Sequence, residues 1–104
     1  TMICDTDGRK IANLKNRYNI PLTTLRFEEV IRNKDIDGIV IATPNYLHSP
    51  MVIGALEYDK YILCEKPLGL STKEIKEIAK VAEKHPDKLM YGLNDRFRQD
   101  VQTL

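Results

Sequence analysis

Glu65, Lys66 and Pro67 follow directly on the apolar run Tyr61–Cys64, and that position gives the lysine a chemical use. Taking a hydride from a secondary alcohol requires the hydroxyl proton to leave. An ammonium beside the oxygen stabilises the developing alkoxide, and partial desolvation lowers a lysine pKa towards a range that suits proton shuttling. Glu65 is placed to orient the ammonium, and Pro67 is a candidate for a cis peptide bond, which outside proline is costly. In isolation a Glu-Lys pair at a strand end is a solvated surface pair. What else stands at neighbouring strand ends decides between the two readings.

Three further groups qualify. Thr43-Pro44-Asn45 closes the apolar run 38–43, with His48 three residues beyond. Pro44 has no N–H and stops a ladder. On the plain reading Asn45 forms a turn and His48 is a solvated helix cap. Asp5 ends the run Met2–Cys4. A carboxylate there can accept hydrogen bonds from both hydroxyls of an adenosine ribose and repels a 2′-phosphate. Its alternative is a helix cap, for which Asp7 is better placed. Thr6 and Asp7 follow it rather than an arginine, so NAD is favoured, while Arg9 keeps NADP possible. Finally, Asn94-Asp95-Arg96-Phe97 follows the last apolar run. Arg96 there either faces a cofactor or pairs with Asp95 or Asp100.

Apolar runs and helical patterns alternate along the whole chain. After Met2–Cys4, Ile11, Leu14 and Tyr18 share one helical face that Asp7 can cap. Residues 22–25 read as a short strand, and Phe27, Val30 and Ile31 as a short helix. The runs 38–43 and 61–64 read as strands buried on both faces. Between them Ser49-Pro50 opens a helix with proline at its first position, carrying Met51, Val52, Ala55 and Leu56 inward. Ser71 to Glu74 form a capping box, with Leu70 and Ile75 placed as a hydrophobic staple. That helix turns Ile75, Ile78, Ala79 and Ala82 inward and ends near His85-Pro86. Residues 88–91 are a last strand. Five strands alternating with four helices predict an α/β fold, a parallel sheet with helices on both faces. Ligands of such sheets bind beyond the carboxyl ends of the strands, where the groups above stand.

Thr43-Pro44-Asn45, His48 and Glu65-Lys66-Pro67 on successive strand ends resemble the glucose-fructose oxidoreductase / inositol 2-dehydrogenase / MocA family, over nearly the whole chain. The resemblance implies a nicotinamide-dependent oxidoreductase acting on a sugar, cyclitol or related polyol. It implies Lys66 as the catalytic residue. It implies cofactor binding by Asp5, Thr43, Pro44, Asn45, His48, Glu65, Lys66, Pro67 and Arg96, with NAD as cofactor (NADP possible), and a homo-oligomer as full-length protein. Two cysteines sixty positions apart give neither a disulfide scaffold nor a metal spacing, so no metal is expected and the protein reads as reduced and cytoplasmic. A non-catalytic dinucleotide-sensing regulator has the same architecture but no need of Lys66. An unrelated doubly wound domain is the third reading.

Two departures from the family pattern matter. Asp59 stands where the family has glycine at a helix end, and aspartate tolerates the left-handed conformation better than most residues. The Gly-rich loop, the strand before it and the substrate domain are absent from these 104 residues. The chain therefore reads as a fragment of a dinucleotide-binding domain, family strands two to six, joined midway through a fold. In the order 3-2-1-4-5-6, loss of strand one leaves two inner edges unpaired, and the fragment alone is expected to be unstable as a monomer and inactive. Other outcomes are direct pairing of strands two and four, or a strand donated by another chain. Cys4 and Cys64 would lie three strand positions apart, ~14 Å, beyond the ~7 Å a disulfide spans, so both should be free, buried thiols.

A formal net charge of +1, from 16 basic and 15 acidic side chains, argues against nucleic acid or an anionic membrane as main partner. No apolar run approaches the ~20 residues of a membrane span, and no leader-like opening is present.

Overall fold

The computed structural model describes residues 1–91. Its elements are β1 (Met2–Cys4), α1 (Gly8–Tyr18), β2 (Leu22–Thr24), α2 (Phe27–Arg32), β3 (Gly38–Ile41), α3 (His48–Glu57), β4 (Tyr61–Cys64), α4 (Thr72–Glu83) and β5 (Leu89–Tyr91). A 3-10 turn at Asn45–Leu47 precedes α3. The alternation is the one expected, and every ladder is parallel. Met2 stands opposite Leu22, Gly38 opposite Tyr61, and Ile62 opposite Leu89. The strands form two sheets, β1–β2 and β3–β4–β5, in two compact units, Thr1–Asp37 and a second beginning at Gly38. Strands two and four of the family order, β1 and β3 here, therefore do not pair directly.

In the first unit the Asp7 carboxylate accepts the N–H groups of Arg9 and Lys10 at 2.9 and 3.3 Å and starts α1. The helix stops at Asn19, left-handed at φ 51°, whose N–H bonds the Lys15 carbonyl. Ile11 is buried, but Leu14 and Tyr18 are exposed, against expectation. Two three-residue strands, each about 10 Å long, cannot cover an 11-residue helix of about 16 Å. Val30 and Ile31 of α2 are buried as expected.

In the second unit, side-chain parity decides burial. Ile41, Ile62 and Cys64 are buried with Val52, Ala55, Leu56 and Ile78 of α3 and α4. Residues of the opposite parity are exposed, Val40 by 70% and Met90 by 68%, along with Tyr61 and Leu63. The expectation that runs 38–43 and 61–64 are buried on both faces is thus corrected. Within this unit α3 and α4 pack against each other and cover one face, and alternate strand side chains point the other way. On the uncovered face the Lys88 ammonium lies 3.7 Å from the Tyr61 ring centre. For the same reason α4 buries only a narrow stripe. Ile78 is buried and Ala82 half-buried, while Ile75 and Ala79 are exposed rather than inward. Pro50 is the third residue of α3 rather than the first. It is tolerated because first-turn N–H groups have no intrahelical acceptor.

Asp59 adopts the left-handed conformation at φ 57°, as expected of the residue in glycine's place. Both cysteines are free, but only Cys64 is buried and Cys4 is half-buried. Cys4 ends a strand whose ladder has a single partner, β2, so less of its side chain is covered than a central strand would allow.

Leu56 is fully buried. In the full-length protein, Leu56→Ala should cost about 2–5 kcal/mol, read as a lower denaturant midpoint with unchanged slope for this domain.

Candidate active site

β3 and β4 are parallel neighbours, so their carboxyl ends release two adjacent turns. The first, Thr43-Pro44-Asn45, folds into the 3-10 turn, with the Leu47 N–H on the Pro44 carbonyl at 3.0 Å. The second carries Glu65-Lys66-Pro67 and runs on to α4. The Glu65 N–H extends the ladder one residue past β4, donating to the Ile41 carbonyl at 3.0 Å. The Lys66-Pro67 peptide is cis. Further on, the Leu70 N–H donates to a Glu74 carboxylate oxygen at 2.6 Å, while the Ser71 hydroxyl accepts the Glu74 N–H at 3.2 Å. The capping box expected at Ser71 is present, with the glutamate returning to Leu70. A Cβ on Gly69 would come within 3.2 Å of Glu74 and Ile75 side-chain carbons, so loop and helix approach closely at this glycine.

His48 joins the two turns. One ring nitrogen, Nδ1, lies 2.6 Å from the Pro67 carbonyl oxygen, and the other, Nε2, lies 2.9 Å from the Thr43 carbonyl oxygen. The residue is fully buried. The reading of His48 as a solvated cap therefore fails: it opens α3 from beneath the turns. Above it, Pro44, Asn45, Glu65, Lys66 and Pro67 are exposed and Thr43 is half-buried. The Thr43 hydroxyl reaches the Met51 sulfur at 3.6 Å.

Asp5 belongs to the first unit. It is exposed at the carboxyl end of β1, its N–H on the Thr24 carbonyl at 3.3 Å. Its Oδ1 accepts the Asp7 N–H at 2.9 Å. Asp7, not Asp5, caps α1, so the Asp5 carboxylate stays at the strand end. Arg96, with residues 94–97, lies outside the described residues. Among the described residues no three His, Cys, Asp or Glu side chains stand together as metal ligands, and no helix is long and apolar enough to cross a membrane. Sequence reasoning did not identify Glu74 and Gly69 as supports of the lysine-bearing loop. Gly69, five residues before Glu74, gave no signal by type alone, whereas Glu74 was visible only as a capping residue.

Within the second unit the exposed side chains of Asn45, Glu65 and Lys66 stand at the carboxyl ends of β3 and β4, the end at which ligands of parallel sheets bind. Residues 1–93 match the family described as an oxidoreductase family with an NAD-binding Rossmann fold (GFO_IDH_MocA). The chain is 33% identical over 95 residues to trans-1,2-dihydrobenzene-1,2-diol dehydrogenase of Xenopus tropicalis, covering 91% of this chain and 29% of that protein. It superposes on myo-inositol 2-dehydrogenase from Lactobacillus plantarum with TM-score 0.91 and 30% identity, over 99% of this chain and 31% of that one. For levoglucosan dehydrogenase in complex with NADH and levoglucosan the TM-score is 0.84 at 30% identity, over 92% and 26%. The chain thus spans under a third of each of these relatives.

Cys64 lies between the core and the Glu65 turn. Burial, and then the Glu65 charge, push its thiol up to about 11. Burial first, then Asp5, Glu28 and Glu29, raise Cys4 as well. The native state thus keeps the Cys64 proton where an unfolded thiol loses it, so stability falls as pH rises from about 9 towards 11. Denaturant melts of the full-length protein across that window should show a steeper loss than for Cys64→Ala. Native Cys64 should also resist iodoacetamide at pH 8, when unfolded protein reacts readily.

Proposed function

The chain belongs to the GFO_IDH_MocA family of oxidoreductases with an NAD-binding Rossmann fold, and on that premise we propose that the full-length protein transfers a hydride between NAD and a sugar, cyclitol or related polyol. The observation that carries this reading is the exposed Lys66, held in a turn tied through His48 to the neighbouring Thr43 turn. Bound NAD supplies the hydride acceptor for the carbinol carbon. As the hydride leaves the carbinol carbon, the Lys66 amine takes the hydroxyl proton, and the ammonium so formed stabilises the substrate oxygen; Glu65 orients the lysine. Asp5 holds the hydroxyls of the adenosine ribose, while Thr43, Pro44, Asn45 and Pro67 line the nicotinamide half. The family resemblance adds Arg96 as a further cofactor contact. The substrate class is supported by relatives named for myo-inositol and levoglucosan. The family resemblance extends the proposal to a homo-oligomer, and the two free cysteines extend it to a reducing, cytoplasmic compartment.

Lys66→Ala in the full-length protein should lower kcat about 10²–10⁴-fold with NADH affinity little changed, measured by initial rates on a polyol panel and by NADH fluorescence titration. Wild-type binding with no turnover on the panel, indifferent to Lys66→Ala, would instead support a dinucleotide sensor. Asp5→Ala removes hydrogen bonds to a charged acceptor and should weaken NAD binding about 10–100-fold, with NADP affected less. Titration of both dinucleotides measures this, and equal loss for the two would count against a ribose contact.

A further inference from the structure

We propose that His48 is a positioning residue for the reaction, its buried ring latching the Lys66-bearing turn to the Thr43 turn. This rests on the assignment of Lys66 above. Lys66 immediately precedes Pro67, so the 2.6 Å contact at the Pro67 carbonyl fixes the main chain one residue from the ammonium-bearing side chain. The 2.9 Å contact at the Thr43 carbonyl fixes the turn that carries Pro44 and Asn45. One rigid ring therefore sets the separation of the two turns.

Other ties surround this latch but do not replace it. The Glu65 N–H is anchored to β3 through Ile41, and the Leu70 N–H to α4 through Glu74. Each holds one end of the loop, whereas His48 holds its middle. Both partners are carbonyl oxygens, which only accept. A neutral imidazole donates to one of them, and a doubly protonated ring donates to both. Asparagine or glutamine can approach one carbonyl but cannot reproduce the ring's fixed span between two. Both ring nitrogens of His48 face loop carbonyls rather than helix N–H groups, so the ring does not act as a cap of α3.

The test uses the full-length protein with NAD and myo-inositol, levoglucosan and glucose as probe substrates, in four variants: His48→Ala, His48→Gln, Lys66→Ala and Lys66→Ala with His48→Ala. Backbone hydrogen exchange of the loop 65–70 is followed in parallel. A displaced catalytic group costs about 10²-fold in rate. His48→Ala should therefore lose about 100-fold in kcat with NADH affinity within about threefold, His48→Gln should recover part of it, and loop amides should exchange at least about tenfold faster in His48→Ala. The double variant should be no slower than Lys66→Ala, because residues acting as a unit are not additive. Wild-type kcat and loop protection in folded His48→Ala, with Lys66→Ala impaired, would overturn the latch and leave the lysine assignment standing. Full turnover in Lys66→Ala would overturn that assignment instead, and loop exchange would then judge the latch by itself. If His48→Ala does not fold, His48→Gln decides by the same two readouts.

Discussion

Two main-chain carbonyls, those of Thr43 and Pro67, converge on one buried imidazole, and the rest of the strand-end geometry depends on that convergence. The turns belong to different β-strands and would otherwise be separate loops, each free to drift. Every residue ordered in a loop costs roughly 1–2 kcal/mol of backbone entropy. A charged, exposed side chain such as Lys66 contributes little of its own to offset that. Main-chain ties supply the order instead: the extra rung from Glu65 to Ile41, the Leu70 anchor on Glu74 and the ring of His48. The result separates two duties. Buried atoms hold the backbone, while Asn45, Glu65 and Lys66 lie exposed on the turns.

The same division runs through the fold. Parallel pairing of β3, β4 and β5 puts their carboxyl ends on one side, and α3 and α4 fill the face below with Val52, Ala55, Leu56 and Ile78. α3 contributes to both duties. Its first residue is the histidine under the turns and its later residues are core. In the first unit Asp7 takes the capping role, and Asp5 stays exposed at the end of β1 with its Oδ1 on the Asp7 N–H.

Much of this was legible in residue types. Asp7 announced α1, Ser71 and Glu74 announced α4, and the prolines at positions 44 and 67 marked where strands β3 and β4 give way to turns. The left-handed Asp59 was readable from its place at a helix end. Burial was less legible. Val40 and Leu63 have the composition of doubly covered strand residues, yet they are exposed in this unit because both of its helices sit on the other face. Leu14 and Tyr18 keep helical spacing with Ile11, but the narrow β1–β2 sheet reaches only Ile11. His48 illustrates the sharpest limit. A histidine one turn past a Thr-Pro-Asn segment looks like a solvated cap, and only the three-dimensional path of the loop after β4 brings the Pro67 carbonyl to its ring. Contacts between residues nineteen positions apart have no local signature.

The proposal stands or falls on Lys66 meeting the nicotinamide of a dinucleotide bound at the carboxyl ends of β3 and β4. A crystal structure of the full-length protein with NADH tests it most directly. The account predicts the adenosine ribose on the Asp5 carboxylate and the nicotinamide beside the Lys66 ammonium, with His48 still bridging Thr43 and Pro67. A dinucleotide bound away from the carboxyl ends of β1, β3 and β4, or Asp5 and Lys66 at opposite ends of the assembled sheet, would contradict it.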